Sequence, residues 1–448
     1  MNLYSLMRQR AEKSGPIRVG LIGAGKFASM FLTQASRAQG IHVVGIAELN
    51  PEIGRAALKK TGWAEERYDA KTLDEACKTG KTAIVASSDD LIKFAPVEVI
   101  LEVTGNPVVG TAHALKCIEN GKHIVMVNVE ADCMVGPILA ERARKAGVVY
   151  AMAYGDQPAL ICELVDWCRT VGFEVVCAGK GTKYLPEYSK STPDTVWDHY
   201  GFTREQLAKG DFNPKMFNSF LDGTKSAIEM VAVANGTGLI PQDEGLFFPP
   251  AGANDIQKIL VPKADGGVLT RSGTVEICSC LNRDGSPVER DLRWGVYVTF
   301  KALTDYAVQC FSEYGIVTDE SGRYASLYRP YHMIGMELGV SIASAVLRGE
   351  ATGSPVGFIG DVASVAKRDL KAGEVLDGEG GYMVFGKVTS AGTSLKNGLL
   401  PLGLAHGVKL KNPIAEGKAV RWDDVEFDAS LQAVTIRKEL EQRFKNAG

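Results

Sequence analysis

The sequence predicts an α/β chain in three parts: a doubly wound parallel-sheet domain over residues 1–155, an α+β domain over 156–352 and a small, mostly-β domain over 353–448. Three observations carry this. Short β-branched runs alternate with helical stretches up to about residue 154, the pattern of a parallel sheet covered by helices on both faces. Separated strands and long loops rich in Pro, Gly and Asp follow to about residue 350, and tight Gly and Pro punctuation of short β segments runs from there to the end.

In chain order, the first region holds candidate strands at Ile17–Ile22, Ile41–Ala47, Thr82–Ala86, Val97–Val103, His123–Val127 and Val148–Ala153, with helices such as Phe27–Ala38 and Thr111–Asn120 between them. Pro158 opens a helix whose face carries Ile161, Leu164, Val165 and Cys168. Strands are then expected at Glu174–Ala178, Val275–Leu281, Gly295–Leu303 and Tyr306–Phe311, a helix at Thr224–Ala234, and a further helix from Pro330 to about Leu347. The last part contains turn-rich segments such as Asp369–Leu376 and Asn412–Gly417.

Composition narrows the function classes. A net charge of −3 over 448 residues leaves no basic surplus for nucleic acid. The first sixteen residues lack the apolar core of a signal peptide, and no window is apolar enough to span a membrane. Nine scattered cysteines, an odd number, do not read as a disulfide framework, so a reducing cytoplasm is expected. The pairs Cys162/Cys168 and Cys278/Cys280 lack zinc spacing and read as buried thiols.

Gly23-Ala24-Gly25-Lys26-Phe27-Ala28 follows the strand Arg18–Ile22 directly and opens a helix, as in a Rossmann dinucleotide-binding domain. Gly23 makes the turn, Gly25 lets the backbone approach a pyrophosphate, and Ala28 permits close helix–strand packing. The helix N-terminus, beginning at Lys26 and Phe27, faces the anion with free N–H groups. Glu48 ends the second strand, where a carboxylate accepts hydrogen bonds from the adenosine ribose and repels a 2′-phosphate; Asn50 and Arg55 close by leave NADP open. Thr104 and Gly105, Asn128 and Glu130, and Gly155-Asp156-Gln157 sit at later strand ends, where such a crevice borders its ligand.

Three polar clusters could carry the reaction. Asp222, Lys225, Ser226 and Glu229 share one side of the helix that starts near residue 224, a face able to hold a substrate hydroxyl between a Lys and a carboxylate. The alternative is an N-capping Asp222 beside a solvated Lys225–Glu229 pair. Lys180-Gly181-Thr182-Lys183-Tyr184 follows a strand and could aim Lys183 at a ligand. In Tyr328-Arg329-Pro330-Tyr331-His332, Pro330 suits the first position of a helix, whose N–H groups could meet a phosphate together with Arg329 and His332.

With these residues on the page, the first 350 or so resemble the homoserine dehydrogenase-like oxidoreductases, and Val365–Leu376 looks like part of a SAF domain. The combination, with Gly179–Tyr184 and Tyr328–His332, is similar to the 1-deoxy-D-xylulose 5-phosphate reductoisomerase-like enzymes. The resemblance implies a cytoplasmic, NADPH-dependent homodimer acting on a phosphorylated sugar, with a divalent metal such as Mg or Mn assisting. Such an enzyme converts 1-deoxy-D-xylulose 5-phosphate to 2-C-methyl-D-erythritol 4-phosphate on the route to isoprenoid precursors. In it, Lys183 and Lys225 would orient the substrate, Asp222 or Glu229 would move protons, and Arg329 and His332 would hold the phosphate. One departure stands out: homoserine dehydrogenases space a catalytic Asp and Lys four apart, whereas Asp222 and Lys225 are three apart. An NAD(P)-dependent homoserine, hydroxy-acid or sugar-acid dehydrogenase without isomerisation is the alternative.

Overall fold

The computed structural model describes residues 2–209 and 212–445. It divides into one unit of residues 1–160 and 332–356, and a second of 161–331 and 357–448.

In the first unit, six parallel strands, β1 (Ile17–Ile22), β2 (Ile41–Ala47), β3 (Ala83–Val85), β4 (Val99–Glu102), β5 (His123–Met126) and β6 (Tyr150–Met152), stand in the order β3-β2-β1-β4-β5-β6. Their near-continuous apolar runs are buried on both faces, which is what helices on both sides of a parallel sheet require. The order reverses direction between β1 and β4, so a crevice opens beyond their carboxyl ends.

The segment 332–356, read from sequence as part of the middle domain, packs in this unit, where Tyr154 N donates to Ser341 Oγ at 2.8 Å. Its helix runs Gly339–Arg348 and does not begin at Pro330. Gly335 explains the late start. It adopts φ +81°, and an added Cβ would lie 2.7 Å from the Met30 Cβ and 2.8 Å from the Phe27 carbonyl, so the chain passes too close to helix Lys26–Ala35 to coil there. Without a helix at Pro330, the N-terminal phosphate site expected between Arg329 and His332 is not formed by this segment.

A buried acid in this unit gives a pH-dependent expectation. Asp132, on helix Val129–Ala146, is 1% exposed; Tyr150 Oη donates to its Oδ1 at 2.8 Å, while Oδ2 has no partner. Burial pushes its pKa up to about 7. A folded value above the ordinary carboxylate range means that Asp132 contributes stability fully present below about pH 4 and lost as pH rises to about 7. Thermal melts between pH 5 and pH 8 should show a smaller pH-dependent fall in Asp132→Asn than in the wild type. Parallel curves would exclude Asp132 as the titrating group.

The second unit is built on the sheet β10-β9-β7-β8, comprising β7 (Glu174–Thr182), β8 (Thr274–Ser279), β9 (Val296–Lys301) and β10 (Tyr324–Arg329). The stretch expected as a strand at Tyr306–Phe311 is a helix, Asp305–Glu313. Thr304 decides it: its hydroxyl accepts from Ala307 N at 3.1 Å, an N-cap that the apolar spacing alone did not reveal.

The C-terminal strands are β11 (Gly360–Ala366), β12 (Val375–Asp377), β13 (Val384–Ser390), β14 (His406–Leu410) and β15 (Val425–Glu426), with β11 pairing β13 and β14 standing between β12 and β15. They are held to helix Thr224–Thr237 at both its ends. Gly386 N donates to Thr224 Oγ1 at 2.8 Å, and Ile359 N and Gly360 N donate to Asn235 Oδ1 at 2.8 and 3.0 Å. A closing helix, Gln432–Lys445, inserts Arg437, which is 0% exposed and forks onto the Asp361 carboxylate while Nε donates to Glu441 Oε1 at 3.0 Å.

Candidate active site

In the first unit, β1 leads into Gly23, whose φ of +98° makes the turn, and Gly25 then takes the N-cap position of helix Lys26–Ala35 with no side chain capping it. A Cβ at Gly25 would meet nothing within 4 Å, so the backbone lies open to a ligand there. Ala28 is fully buried in the sheet–helix core, and Phe27 packs against it. Lys26 is exposed at the helix start. Gly23 and Gly25 border a cleft of about 420 Å³, within the roughly 300–1,000 Å³ usual for small-molecule sites.

Glu48 reaches across the cleft mouth to the glycine loop: Oε2 accepts from Ala24 N at 3.1 Å and Oε1 from Asn50 N at 3.3 Å. Among the described residues lining the cleft there is no Lys or Arg, and the Arg55 guanidinium lies 3.4 Å from Glu52.

At the end of β4 the structure adds two residues that sequence reasoning missed. Glu102 is fully buried; its Oε1 accepts from Thr104 Oγ1 at 2.5 Å and lies 3.1 Å from His113 Nδ1, while Oε2 has no partner. Thr104 and His113 line the cleft. The signal was a single charged residue ending an otherwise apolar strand. Gly105 turns with φ +68°. Asn128 caps helix Val129–Ala146 and ties the strand ends together, accepting from Ala131 N at 3.1 Å and donating to Asn106 O at 2.9 Å; Glu130 is half-buried beside it.

In the second unit the Gly179–Tyr184 segment is set by backbone contact. A Cβ at Gly179 would lie 1.7 Å from Glu276 O and one at Gly181 1.9 Å from Leu292 O, so neither position accepts a side chain. Between them, Lys180 crosses to Glu229 on helix Thr224–Thr237, forming an ion pair whose side chains are 6% and 4% exposed. Glu229 is therefore buried and paired with Lys180, not a solvated partner of Lys225.

Asp222 is also elsewhere than the shared helix face suggested. It is 0% exposed, its Oδ1 accepts from Thr224 N at 2.9 Å, and its Oδ2 meets Lys367 Nζ at 2.7 Å. Lys367, from β-domain residues just past β11, also donates to the carbonyls of Ser191 and Gly381 at 2.7 and 2.8 Å, so all three ammonium hydrogens are used. Burial raises the Asp222 pKa against the opposing pull of Lys367. This pair is a clamp between two domains. Lys225 is half-buried, and Ser226 is buried at 1% exposure.

Glu276, on β8, accepts from Gln242 Nε2 at 2.7 Å and from the backbone N–H groups of Phe247 and Phe248, and burial pushes its pKa up to about 7. It pins a loop in which Phe248 takes φ +50° and stacks on Tyr184 with ring centroids 3.8 Å apart. Among the described residues no group of three His, Cys, Asp or Glu side chains could hold a metal ion.

Comparison with known proteins follows the domains. Residues 19–152 match the family model "Homoserine dehydrogenase, NAD binding domain", residues 155–338 match "Oxidoreductase DRL, catalytic domain", and residues 363–426 match "SAF domain". Domain by domain, the chain is similar to a homoserine dehydrogenase-like NAD-binding oxidoreductase with a C-terminal SAF domain. The chain is 29% identical over 137 residues to homoserine dehydrogenase from Pseudomonas aeruginosa, an overlap of 30% of this chain and 28% of that protein. The chain thus spans little more than a quarter of the length of the curated relative it matches. Among solved structures, a probable dehydrogenase from Thermotoga maritima is 13% identical with a TM-score of 0.37, covering 75% of this chain and 90% of that one. Dipicolinate-bound dihydrodipicolinate reductase from Paenisporosarcina sp. TG-14 is 13% identical with a TM-score of 0.35, covering 75% and 97%. Myo-inositol dehydrogenase from Lactobacillus casei is 15% identical with a TM-score of 0.28, covering 40% and 50%.

Proposed function

We propose that the oxidoreductase is a dehydrogenase that uses NAD in preference to NADP and acts on a small hydroxy acid or sugar acid without rearranging its carbon skeleton. The observation that carries this is Glu48, a carboxylate held at the glycine loop by Ala24 N and Asn50 N, with no Lys or Arg lining the cleft among the described residues. Such a group accepts ribose hydroxyls and repels a 2′-phosphate. When bound, the nicotinamide accepts or supplies the hydride. The chain's own part is to seat the pyrophosphate on the open N-terminus of helix Lys26–Ala35 and to fix the Glu102–Thr104–His113 group beneath the cleft.

In this reading Lys225, half-buried on the helix that also carries Glu229, moves the hydroxyl proton of the substrate. Lys225→Met should lower kcat by about 100-fold or more, the usual scale for a positioned acid–base group, while NADH affinity measured by fluorescence stays within twofold. Turnover at the wild-type rate would remove Lys225 from the reaction.

A second reading keeps the NADPH-dependent reductoisomerase, because residues 155–338 match the DRL catalytic domain and carry Lys183 and its neighbours. Purified protein supplied separately with 1-deoxy-D-xylulose 5-phosphate and with homoserine and sugar acids, NAD(H) or NADP(H), and Mg²⁺ separates the two. Cofactor turnover with an unbranched product supports the dehydrogenase; a branched product by mass analysis supports the reductoisomerase. A cytoplasmic homodimer is part of the proposal: none of the nine cysteines forms a disulfide, and Leu327 and Tyr328 are exposed on the edge strand β10. No helix among the described residues is long and apolar enough to cross a membrane.

A further inference from the structure

We infer that Lys183 and Arg293 form the seat for an oxyanion, carboxylate or phosphate, carried by the substrate. The inference rests on the dehydrogenase reading only for the word substrate. Lys183 directly follows β7 and is half-buried; its Nζ donates to His199 O at 2.5 Å and stands 5.5 Å from the centre of the Tyr200 ring. Arg293 is half-buried on the same ring, its Cζ 5.9 Å from the Tyr200 centre and 4.9 Å from that of Trp294.

Two cations therefore meet one aromatic ring, and no carboxylate answers them. Asp291 accepts at 2.8 Å from the backbone N–H of Arg293, which does not neutralise the guanidinium, and neither cation has an ion-pair partner among the described residues. Burial and the neighbouring Arg293 both hold the Lys183 ammonium below the usual lysine range. Half-buried like charges repel and are desolvated at once, an arrangement that costs stability unless an anion completes it. The sequence builds the juxtaposition deliberately through Gly181, since a Cβ there would collide with Leu292 O and lift the Arg293 segment away. A forked guanidinium beside a point-charge ammonium suits a group with two or three charged oxygens.

The test uses the full chain at constant ionic strength, titrated calorimetrically with inorganic phosphate and, separately, with tartrate. Saturable binding is expected, weakened at least tenfold by Arg293→Gln and by Lys183→Gln, and unchanged by Arg283→Gln, an exposed arginine bonded to Phe247 O. The tighter of the two probes identifies the oxyanion as phosphate or carboxylate. Unliganded Arg293→Gln should melt no lower than the wild type, because it loses a repulsion and no ion pair. No saturable binding of either probe, equal affinity in Arg293→Gln, or a lower melting point for that variant overturns the inference. Anion binding at these residues in a protein that turns over no cofactor would refute the dehydrogenase reading while leaving the seat in place.

Discussion

Replacing Glu48 by Ser should move the ratio of NAD to NADP preference by about 100-fold toward NADP. That corresponds to about 2.8 kcal/mol, at 1.4 kcal/mol per factor of ten. The direction follows from charge: the Glu48 carboxylate, tethered by Ala24 N at 3.1 Å, stands where an added 2′-phosphate would bring like charges together. Part of the effect is geometric, because the same substitution releases the loop N–H that Glu48 accepts. Glu48→Gln separates the two contributions, since it keeps an acceptor for Ala24 N and removes the charge; it should show most of the shift in preference with little loss of NADH affinity. Fluorescence titrations with NADH and NADPH measure both. A wild-type protein that already prefers NADPH would refute the role given to Glu48 and favour the reductoisomerase reading.

Lys367→Met should be the most destabilising single change considered, by about 3–5 kcal/mol, the usual effect of removing one partner of a buried ion pair. Asp222 would remain 0% exposed with its charge uncompensated, and the carbonyls of Ser191 and Gly381 would lose their donor. At about 2–4 °C per kcal/mol for a body of this size, the melting point should fall by about 10 °C. The double variant Lys367→Met with Asp222→Leu should recover a large part of that loss, because it removes the stranded charge. If the double variant melts no higher than the single one, Asp222 is not the group that Lys367 neutralises. The same clamp leaves the pair no free proton donor or acceptor for the reaction: its three ammonium hydrogens and both carboxylate oxygens are already engaged.

The glycine-loop unit proposed to seat the cofactor was largely legible in the sequence. Strand, glycine turn and helix are contiguous, so Gly23, Gly25, Ala28 and Glu48 stand within one βαβ unit whose geometry local rules dictate. The substrate side was not. Asp222, Lys225, Ser226 and Glu229 do share a helix side by spacing, but spacing cannot tell that Glu229 meets Lys180 on β7 or that Asp222 meets Lys367 from the far end of the chain. Arg293 carried no pattern at all, and its place beside Lys183 arises from the close passage of Gly181 under Leu292.

Two secondary-structure differences have similarly local causes that pattern reading overlooked. The Thr304 cap turned an expected strand into helix Asp305–Glu313, and the left-handed Gly335 delayed a helix expected at Pro330. The alternating parallel sheet, its glycine loop and the turn-rich C-terminal domain follow from short-range periodicity and from glycine's conformational freedom, both of which the chain carries locally. Which charges are clamped in pairs emerges from the folded chain. Ion pairing inside a core depends on distance in space, and residues 145 positions apart, such as Asp222 and Lys367, carry no trace of one another along the chain.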